Sequence, residues 1–334
     1  MNKWLKRTAI ALIGALALWI GVALALVATP APAFRGKAFE VASRARPACS
    51  PSPDTACYTA RDGTVLHALR EGAPADTVVL LLHGVLGDAD AMRPAARALH
   101  ARTGATVLSL DLRGHGASGG AFGDIAYAGQ YEDDVADVVA ALRREAPQAR
   151  VLLAGHSMGG GIAVRYAART GVPAVDGYLL YAPHLGDRAP TTRHDDVAAA
   201  GAEAPIKLHL RRTIGLLMLG AVGVHAFDDL GTLYFNVSSA DGPLHYSFRA
   251  MIGCAPDDYA AAMRADDKPM LIVAGSADEA FDASAYPAAA RLHANGEAVV
   301  VDGVDHDGIV TDATALARID GWLRTRVAAA RTGG

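Results

Sequence analysis

Cysteine, aromatic side chains and net charge are all scarce in this sequence. Its 334 residues include 3 cysteines and 6% aromatic residues, and the formal net charge is −4. Because the chain is slightly acidic and contains no basic tract, we do not expect nucleic acid to be its partner. The cysteines lack the spacing of a zinc site. The length favours one large α/β domain, or one domain with an insertion, over two independent units.

Charge is also absent from a long segment near the amino terminus. After the basic start MNKWLKR, the segment TAIALIGALALWIGVALALVA contains no charged residue. About 20 apolar residues are enough to cross the bilayer core as a helix, so we predict an uncleaved transmembrane anchor within residues 1–33. A secretory signal peptide is the alternative, because Ala31 and Ala33 form an A-x-A cleavage pattern.

The location of the remaining chain is predicted from two weaker signals. Basic residues before the apolar segment favour an amino terminus on the inside. Cys49 and Cys57 flank the turn-rich segment SPSPDTA, where both unpaired thiols and a short disulfide fit the sequence; a disulfide requires a non-reducing compartment. We predict a single-pass membrane protein with an extracytoplasmic domain. The alternatives are a secreted form released by signal cleavage and a domain on the cytoplasmic face.

Apolar strands alternate with helices along most of the remaining chain. Continuous apolar runs such as TVVLLLHG predict strands covered on both faces, and YEDDVADVVAALRREA has helical spacing with acids early and arginines late. The segment CYTARDGTVLHALREG predicts a β-hairpin around Asp62 and Gly63. A hairpin followed by alternating strands and helices is typical of an α/β fold with a doubly wound, mainly parallel sheet.

One stretch interrupts this alternation. No strand and helix rhythm is visible between Pro183 and Lys268, and residues 206–227 are apolar over most of a helical circumference. A segment this long is more than a connecting loop, so we predict an inserted helical cap over one end of the sheet. The predicted organisation is an anchor at 1–33, a linker at 34–55, a core in two parts at 56–183 and 268–327, and the cap insertion at 184–267.

A single serine lies between glycines where a predicted strand gives way to a predicted helix. Gly155, Ser157 and Gly159 form a G-x-S-x-G motif within VLLAGHSMGGGIAVRYAA. In this setting the serine occupies a sharp turn that exposes its hydroxyl above the strand ends, and the glycines let the neighbouring backbone pass without a Cβ clash. The motif and its context predict that Ser157 is a catalytic nucleophile.

A serine nucleophile needs a base and an acid that orients the base, in the chain order Ser, acid, His on such a fold. Asp278 follows a predicted strand in LIVAGSADEAFD, and His306 follows the last predicted strand in VVVDGVDHDGIV. Both lie at strand carboxyl ends, where the sites of open α/β sheets gather. We predict His306 as the base and Asp278 as the acid, with Glu279 and Asp282 as nearby alternatives for the acid.

Two backbone N–H groups are expected to stabilise the oxyanion of the tetrahedral intermediate. One is the amide of Met158, the residue after the predicted nucleophile. The other is the amide of Val85, in the loop LLHGVLGD after an early strand, where Gly84 allows a close approach to substrate. His83 and His156 are predicted to orient these loops and to take no part in proton transfer.

The motifs LLHGVLGD, DLRGHGAS, AGHSMGGGIA, GSADEAFD and GVDHDG resemble the successive signatures of the α/β-hydrolase superfamily. Within it, the sequence is most similar to the branch of monoacylglycerol lipases, lysophospholipases and related serine esterases. The resemblance covers residues 65–323, weakly through the insertion. It implies a Ser-His-Asp hydrolase without metal or organic cofactor. It disfavours the superfamily members with an aspartate nucleophile, because Ser157 occupies that position.

The predicted activity is hydrolysis of a carboxylic ester, lipid-like in view of the apolar insertion, through an acyl-enzyme. A peptidase or an acyltransferase with the same triad is an alternative within the enzymes. A membrane-tethered binding protein that kept the fold and lost turnover is an alternative from another class. Since the anchor stands apart from the predicted core, removal of residues 1–33 is expected to leave a soluble, active enzyme. No oligomeric state is predicted.

Overall fold

An eight-stranded sheet is the centre of the larger of two structural units. A computed structural model describes residues 3–34, 39–40, 49–193, 204–239 and 242–327. The larger unit contains residues 44–196 and 252–334, and the smaller contains residues 1–43 and 197–251. Residues 35–38 and 41–48 of the predicted linker at 34–55 lie outside the described residues, and the predicted domain boundaries remain predictions.

The sheet of the larger unit is mainly parallel. Its strands are β2 (Thr55–Thr59), β3 (Val65–Glu71), β4 (Thr77–Leu82), β5 (Thr106–Leu110), β6 (Arg150–His156), β7 (Gly177–Tyr181), β11 (Met270–Gly275) and β12 (Gly296–Val301). They lie in the order β12-β11-β7-β6-β4-β5-β3-β2. Only β2 and β3 run antiparallel to their neighbours. The predicted doubly wound, mainly parallel α/β sheet is confirmed.

The predicted β-hairpin is formed by β2 and β3. Thr59 lies opposite Val65, and Gly63 turns the chain with a φ of 84°. Glycine suits this position because a positive φ brings a Cβ too close to the backbone. The hairpin adds two antiparallel strands to one edge of the parallel sheet.

Helices lie between the strands, as the apolar spacing predicts. They are α2 (Arg93–Thr103), α3 (Gln130–Glu145), α4 (Met158–Ala167), α7 (Tyr259–Arg264), α8 (Tyr286–Ala290) and α9 (Ala313–Trp322). One core is shared by α2, α9 and the strands β4, β6, β7 and β11, with Leu81, Leu99, Val273 and Ile319 fully or almost fully buried. Strands covered on both sides explain the continuous apolar runs in the sequence.

The smaller unit combines helices with a second sheet. Its elements are α1 (Lys3–Val27), β1 (Phe39–Glu40), β8 (Ile206–Leu208), α5 (Leu210–Gly220), β9 (Gly231–Ser239) and β10 (Gly242–Ser247), followed by α6 (Phe248–Ile252), which ends one residue beyond the unit. Strands β1, β8 and β10 all pair with β9. The insertion predicted as helical therefore also contains strands, and the apolar segment 206–227 is helical only over α5.

Helix α1 is long and apolar enough to cross a membrane by length and composition, and it is the only such helix among the described residues. A helix of 25 residues at 1.5 Å per residue is about 37 Å long, which exceeds the bilayer core of about 30 Å. A signal sequence passes the same test. Both readings of the amino-terminal segment therefore fit the structure.

Candidate active site

Ser157 occupies a strained turn between strand β6 and helix α4. Its φ of 53° and ψ of −114° lie outside the regions that L-residues ordinarily adopt. The turn is held by three backbone hydrogen bonds: the N–H of Ser157 donates to Tyr181, and its carbonyl accepts from Gly161 and His184. Strain of this kind costs about 1–3 kcal/mol and persists where the surroundings impose it, which is typical of functional positions.

The two glycines of the motif are required by close backbone contacts. A Cβ on Gly155 would overlap the backbone of Gly159 and Gly160, and a Cβ on Gly159 would lie 2.5 Å from the carbonyl oxygen of Leu82. These contacts press the start of α4 against the ends of β4 and β6. The close contacts leave no room for a side chain at either position.

His306 and Asp278 are brought together at the carboxyl ends of β12 and β11. The Nδ1 atom of His306 lies 2.9 Å from the Oδ2 atom of Asp278, and both residues are buried. The His306 ring also lies 4.6 Å, centre to centre, from the ring of His156, the residue before Ser157. The predicted base and acid thus form a pair beside the turn that carries the predicted nucleophile.

The other carboxylates near Asp278 have different partners. Glu279 accepts a hydrogen bond from the backbone N–H of His306 at 3.1 Å, and Asp282 caps a short 3-10 helix by accepting from Ser284. The carboxylate of Asp278 faces the imidazole of His306, and its other oxygen accepts from the backbone of Ala280 and Phe281.

The pKa of Asp278 lies below its ordinary value. Burial alone would raise this pKa, but the hydrogen bond and charge of His306 and the N–H groups of Phe281 and Ala280 outweigh burial and lower it. Asp278 is therefore ionised at neutral pH. A carboxylate in this position can hold the imidazole in one orientation and stabilise its protonated form.

The loop after β4 lies against Ser157. A Cβ on Gly84 would be 3.4 Å from the Cβ of Ser157, so glycine lets this loop approach closely. The next residues form a tight turn in which Gly87 donates to the carbonyl of Gly84, with Leu86 at a φ of 60°. Val85, whose amide is a predicted oxyanion donor, is half-buried within this turn.

Met158, the other predicted donor, is the first residue of α4. The first N–H groups of a helix have no partner within the helix, and the helix dipole makes this end attractive to negative charge. The amide of Met158 is therefore of a type that can stabilise an oxyanion.

His83 connects the loops that follow β4 and β5. Its Nδ1 atom lies 2.8 Å from the carbonyl oxygen of Gly84, and its Nε2 atom accepts from the backbone N–H of Leu112 at 3.1 Å. One ring nitrogen must donate and the other must accept, which requires a neutral imidazole with the proton on Nδ1. This arrangement fits the predicted orienting role.

His156 fixes the backbone of His306. Its Nε2 atom donates to the carbonyl oxygen of His306 at 3.0 Å. Burial, followed by the proximity of the His306 charge, lowers the pKa of His156 to about 4. A neutral imidazole that donates to a carbonyl is suited to positioning and not to taking a proton at neutral pH.

Asp111 organises the same edge of the sheet and was not among the predicted site residues. Its buried carboxylate accepts from the N–H groups of Ala89 and Ala117, and it lies 2.7 Å from the Nδ1 atom of His67. Burial opposes ionisation, yet these hydrogen bonds lower the pKa of Asp111. In the sequence, this role is indicated by the position of Asp111 directly after a buried strand, at the start of DLRGHG.

In the described part of the chain, one group of side chains has potential ligand atoms close enough together to hold a metal ion: His156, His306 and Asp307. The two histidines already have partners, since His156 Nε2 donates to a carbonyl and His306 Nδ1 faces Asp278. Asp307 is exposed. The hydrogen bonds of the two histidines account for their positions, and we assign no ion to this group.

A family model described as "Serine aminopeptidase, S33" matches residues 73–225. This range includes the turn at Ser157 and the loop at Gly84, but it ends before Asp278 and His306. Support for a pair formed by Asp278 and His306 therefore comes from the geometry given above and not from the family model.

Two curated proteins illustrate the sequence similarity. The chain is 26% identical to 2-(acetamidomethylene)succinate hydrolase of Mesorhizobium japonicum over 240 residues, which are 69% of this chain and 81% of the relative. It is 36% identical to monoacylglycerol lipase of Mycolicibacterium smegmatis over 92 residues, 28% of this chain and 32% of the lipase. The second similarity therefore concerns about a third of that protein.

Solved esterase structures share the fold. The esterase Est1E from Butyrivibrio proteoclasticus, solved with ferulic acid bound, superimposes with a TM-score of 0.56 at 19% identity, over 82% of this chain and 100% of the esterase. At this identity the likeness shows the fold alone. The predicted α/β-hydrolase fold is confirmed, and the family model that matches residues 73–225 agrees with the resemblance read from the motifs.

Proposed function

We propose that this chain, a serine hydrolase of the α/β-hydrolase fold, cleaves carboxylic esters through an acyl-enzyme, with Ser157, His306 and Asp278 as its triad. The observation that carries the proposal is the 2.9 Å contact between His306 Nδ1 and Asp278 Oδ2 beside the strained Ser157 turn.

The proposed reaction has two stages. The Ser157 hydroxyl oxygen attacks the ester carbonyl carbon while His306 Nε2 accepts the hydroxyl proton, and this proton then passes to the leaving alcohol as the ester bond breaks. In the second stage water attacks the acyl-enzyme, His306 takes a proton from water, and the proton returns to Ser157 as the acid leaves. The amides of Met158 and Val85 stabilise the oxyanion in both stages.

Labelling with a fluorophosphonate tests the catalytic proposal directly, because such probes react with an activated serine. We expect the wild type to be labelled on Ser157, as identified by mass spectrometry of the modified peptide. Ser157→Ala should remove the label. Ser276→Ala is a matched control, since Ser276 lies directly after β11 and its hydroxyl donates to Asp302. Undiminished labelling of Ser157→Ala would exclude Ser157 as the nucleophile, and an unlabelled wild type would favour a non-catalytic binding protein.

The proposed substrates are esters with an apolar acyl chain. Two observations support this class: the similarity to monoacylglycerol lipase over 92 residues, and the apolar helix α1, which would confine the enzyme to a membrane. Each methylene group transferred from water into a fitting pocket contributes about 0.8 kcal/mol, roughly a fourfold gain in kcat/KM. Activity should therefore rise from acetyl to medium-chain esters.

Peptide hydrolysis is the second candidate, because the matching family model is described as a serine aminopeptidase. The same triad can attack an amide. Aminoacyl anilides compared with esters of the same acyl group separate the two activities, and alcohol acceptors added to an ester reaction would reveal acyl transfer. Faster cleavage of the anilides would replace the esterase proposal.

We place the domain outside the cytoplasm, tethered by an uncleaved α1. Cys49 and Cys57 form a disulfide, which favours a non-reducing compartment. Cell fractionation followed by amino-terminal sequencing tests the anchor. Membrane-bound protein with an intact amino terminus supports it, whereas a mature chain that begins at Phe34 indicates a cleaved signal. A Cys49–Cys57 pair that is reduced in freshly alkylated cells would contradict the extracytoplasmic location.

A further inference from the structure

Helices α1 and α5 pack against each other in opposite directions. The indole N–H of Trp19 donates to the carbonyl oxygen of Met218 at 2.9 Å, and further along the pair the Nε of Arg212 donates to the carbonyl oxygen of Val27 at 3.1 Å. Residue numbers rise along α1 as they fall along α5. Helix α5 thus runs back beside α1 from the end of α1 towards its middle.

A glycine permits the closest approach of the two helices. A Cβ on Gly215 would lie 2.6 Å from the carbonyl oxygen of Ala23 and 2.9 Å from the Val27 side chain. Ala23 and Gly215 are both buried by the contact. Small residues at the crossing point are the usual means by which helices pack in lipid, where the hydrophobic effect does not drive them together.

The position of the contact along α1 fixes the depth of α5. The last charged residue before the apolar segment is Arg7, and residues 8–27 supply the 20 residues that a bilayer core of about 30 Å requires. If α1 crosses the membrane, the part of α1 from Trp19 to Val27 therefore lies within the core. The part of α5 that contacts it, from Gly215 to Met218, must lie at the same depth, and Arg212 lies at the level of Val27, where α1 leaves the core.

Basic side chains collect where α1 leaves this core. Arg212 donates to the carbonyl oxygens of Val27 and Thr29, His209 Nε2 lies 3.1 Å from the carbonyl oxygen of Thr29, and Lys207 donates to that of Ala33. These contacts satisfy carbonyl groups at and beyond the helix end, which otherwise lack partners. Basic side chains at the end of a membrane helix are also placed to reach the lipid head groups.

The face of α5 that points away from α1 is apolar and uncovered in the smaller unit. Leu210, Ile214 and Leu217 are 59%, 41% and 57% exposed and follow the spacing of one helical face. No charged residue occurs between Arg212 and His225. An uncovered apolar face attached to a membrane-spanning helix is suited to acyl chains and poorly suited to water.

After α5 the chain returns to the level of the basic side chains Lys207, His209 and Arg212. The first ionisable residues after α5 are His225 and Asp228, and the Nδ1 atom of His225 lies 2.9 Å from a carboxylate oxygen of Asp228. Ionisable groups near lipid generally pair in this way. Shortly afterwards the carbonyl oxygen of Gly231 accepts from Arg212. If α1 crosses the membrane, the segment between Arg212 and Gly231 therefore enters and leaves the bilayer core on the same side.

We propose that α5 enters the same bilayer as α1 as a re-entrant helix of half-membrane depth, with its Leu210, Ile214 and Leu217 face against the acyl chains. Helix α5 has 11 residues and a length of about 16 Å, roughly half the thickness of the core. The proposal rests on the membrane anchoring proposed above and is independent of the catalytic assignment. It gives the enzyme a second contact with lipid in addition to α1.

Three single-cysteine labels test this proposal on the full-length protein in phosphatidylcholine vesicles. The environment-sensitive fluorophore NBD is attached to Leu217→Cys on α5, to Leu12→Cys on α1 and to Val300→Cys on β12, an exposed apolar position of the larger unit. The native cysteines do not compete, because Cys49 and Cys57 are bonded and Cys254 is buried. Phospholipids with a nitroxide on the acyl chain serve as quenchers that act only within the bilayer.

We expect the labels at positions 217 and 12 to show blue-shifted emission and quenching by the nitroxide lipids, with neither effect at position 300. Quenching at 12 without quenching at 217 overturns the re-entrant helix and leaves the anchor intact. A label at 12 that is not quenched overturns both. Circular dichroism checks that each variant is folded, and Ile214→Cys, on the same face one turn earlier, replaces Leu217→Cys if that variant fails to fold.

Discussion

Asp278 and Glu279 hold the same histidine at two different atoms. Asp278 faces the Nδ1 atom of the His306 ring at 2.9 Å, whereas Glu279 accepts from the backbone N–H of His306 at 3.1 Å. Adjacent carboxylates therefore separate two tasks, orientation of the imidazole and placement of the loop that carries it. The sequence alone could not distinguish them, because both acids follow the same strand.

Asp278→Asn and Glu279→Gln should consequently differ in their effect on ester turnover. In other Ser-His-Asp enzymes the loss is about 10⁴-fold for the Asp to Asn change and about 10⁶-fold for loss of the serine or histidine. We expect losses of this order for Asp278→Asn, Ser157→Ala and His306→Ala. Glu279→Gln should lose far less, since an amide oxygen still accepts a hydrogen bond. Steady-state kcat/KM measures the difference, and full activity in Asp278→Asn would reassign the acid.

His156 should make the fold sensitive to mild acid. Its pKa is about 4 in the folded chain and about 6.5 in the unfolded chain, so the unfolded chain binds the proton first as the pH falls. The stability that comes from keeping His156 neutral is complete above pH 6.5 and is lost between pH 6.5 and about 4, at up to about 1.4 kcal/mol per pH unit.

Thermal unfolding midpoints measured in detergent between pH 4.5 and 7 test this expectation. His156→Gln keeps an N–H donor for the His306 carbonyl and cannot titrate, so its midpoint should fall less over this range. Equal pH dependence in the wild type and His156→Gln would show that other groups govern the acid sensitivity.

Gly159→Ala should strongly destabilise the larger unit, because its Cβ would lie 2.5 Å from the carbonyl oxygen of Leu82. Gly321→Ala is the matched control: Gly321 lies in α9, and a Cβ there has no neighbour within 4 Å. Alanine is favoured over glycine in a helix by about 1 kcal/mol. The unfolding midpoint should therefore fall for Gly159→Ala and rise slightly for Gly321→Ala, and a stable Gly159→Ala variant would contradict the packing described.

Gly215→Ala should loosen the contact between α1 and α5, whereas Gly21→Ala should not, since nothing lies within 4 Å of a Cβ at Gly21. Trypsin reports on the contact, because Arg212 is engaged with Val27 and Thr29 when the helices are packed. We expect faster cleavage after Arg212 in Gly215→Ala, detected by mass spectrometry of the fragments. Equal cleavage rates in the two variants would argue against tight packing at Gly215.

Substitutions on the two faces of α5 should affect catalysis differently. Leu217 is 57% exposed, whereas the neighbouring Leu216, about 100° further round the helix, is fully buried. Leu217→Glu should weaken the rise of kcat/KM with acyl chain length on vesicle-borne esters and leave short, soluble esters unaffected. Leu216→Glu should lower stability with every substrate. A flat dependence on chain length in the wild type would instead indicate small, polar substrates.

The parallel sheet and the candidate site were predictable because their signals are local. A strand such as β4 is apolar throughout because both its faces are covered, and the G-x-S-x-G turn is required by contacts between residues four positions apart. The placement of Asp278 and His306 at one edge followed from the rule that strand carboxyl ends lie together, although this rule does not separate Asp278 from Glu279. Each of these inferences needed only the order of elements along the chain.

Long-range pairing explains what the sequence did not show. Strand β9 mixes polar and apolar residues, and its pairing with β8 and β10 gives the insertion a sheet that no periodicity predicts. The packing of α1 on α5 joins residues 199 positions apart, such as Trp19 and Met218. This contact also changes the expected result of deleting residues 1–33. Removal of α1 uncovers the buried Gly215, which lies against Ala23 and Val27, and leaves an apolar helix without its partner, so the truncated protein should require detergent.

The hydrogen bond from Lys207 to the carbonyl oxygen of Ala33 joins residues that are 174 positions apart. It can form only after the ribosome has made the chain between them. At 5–20 residues per second, a ribosome needs about 9–35 s to reach Lys207 after Ala33 has been made. A signal peptidase would therefore meet the A-x-A pattern long before α5 and its basic cluster exist to cover it. The Lys207 contact therefore forms too late to protect this pattern from cleavage, and α5 packs against α1 only in chains that have kept it.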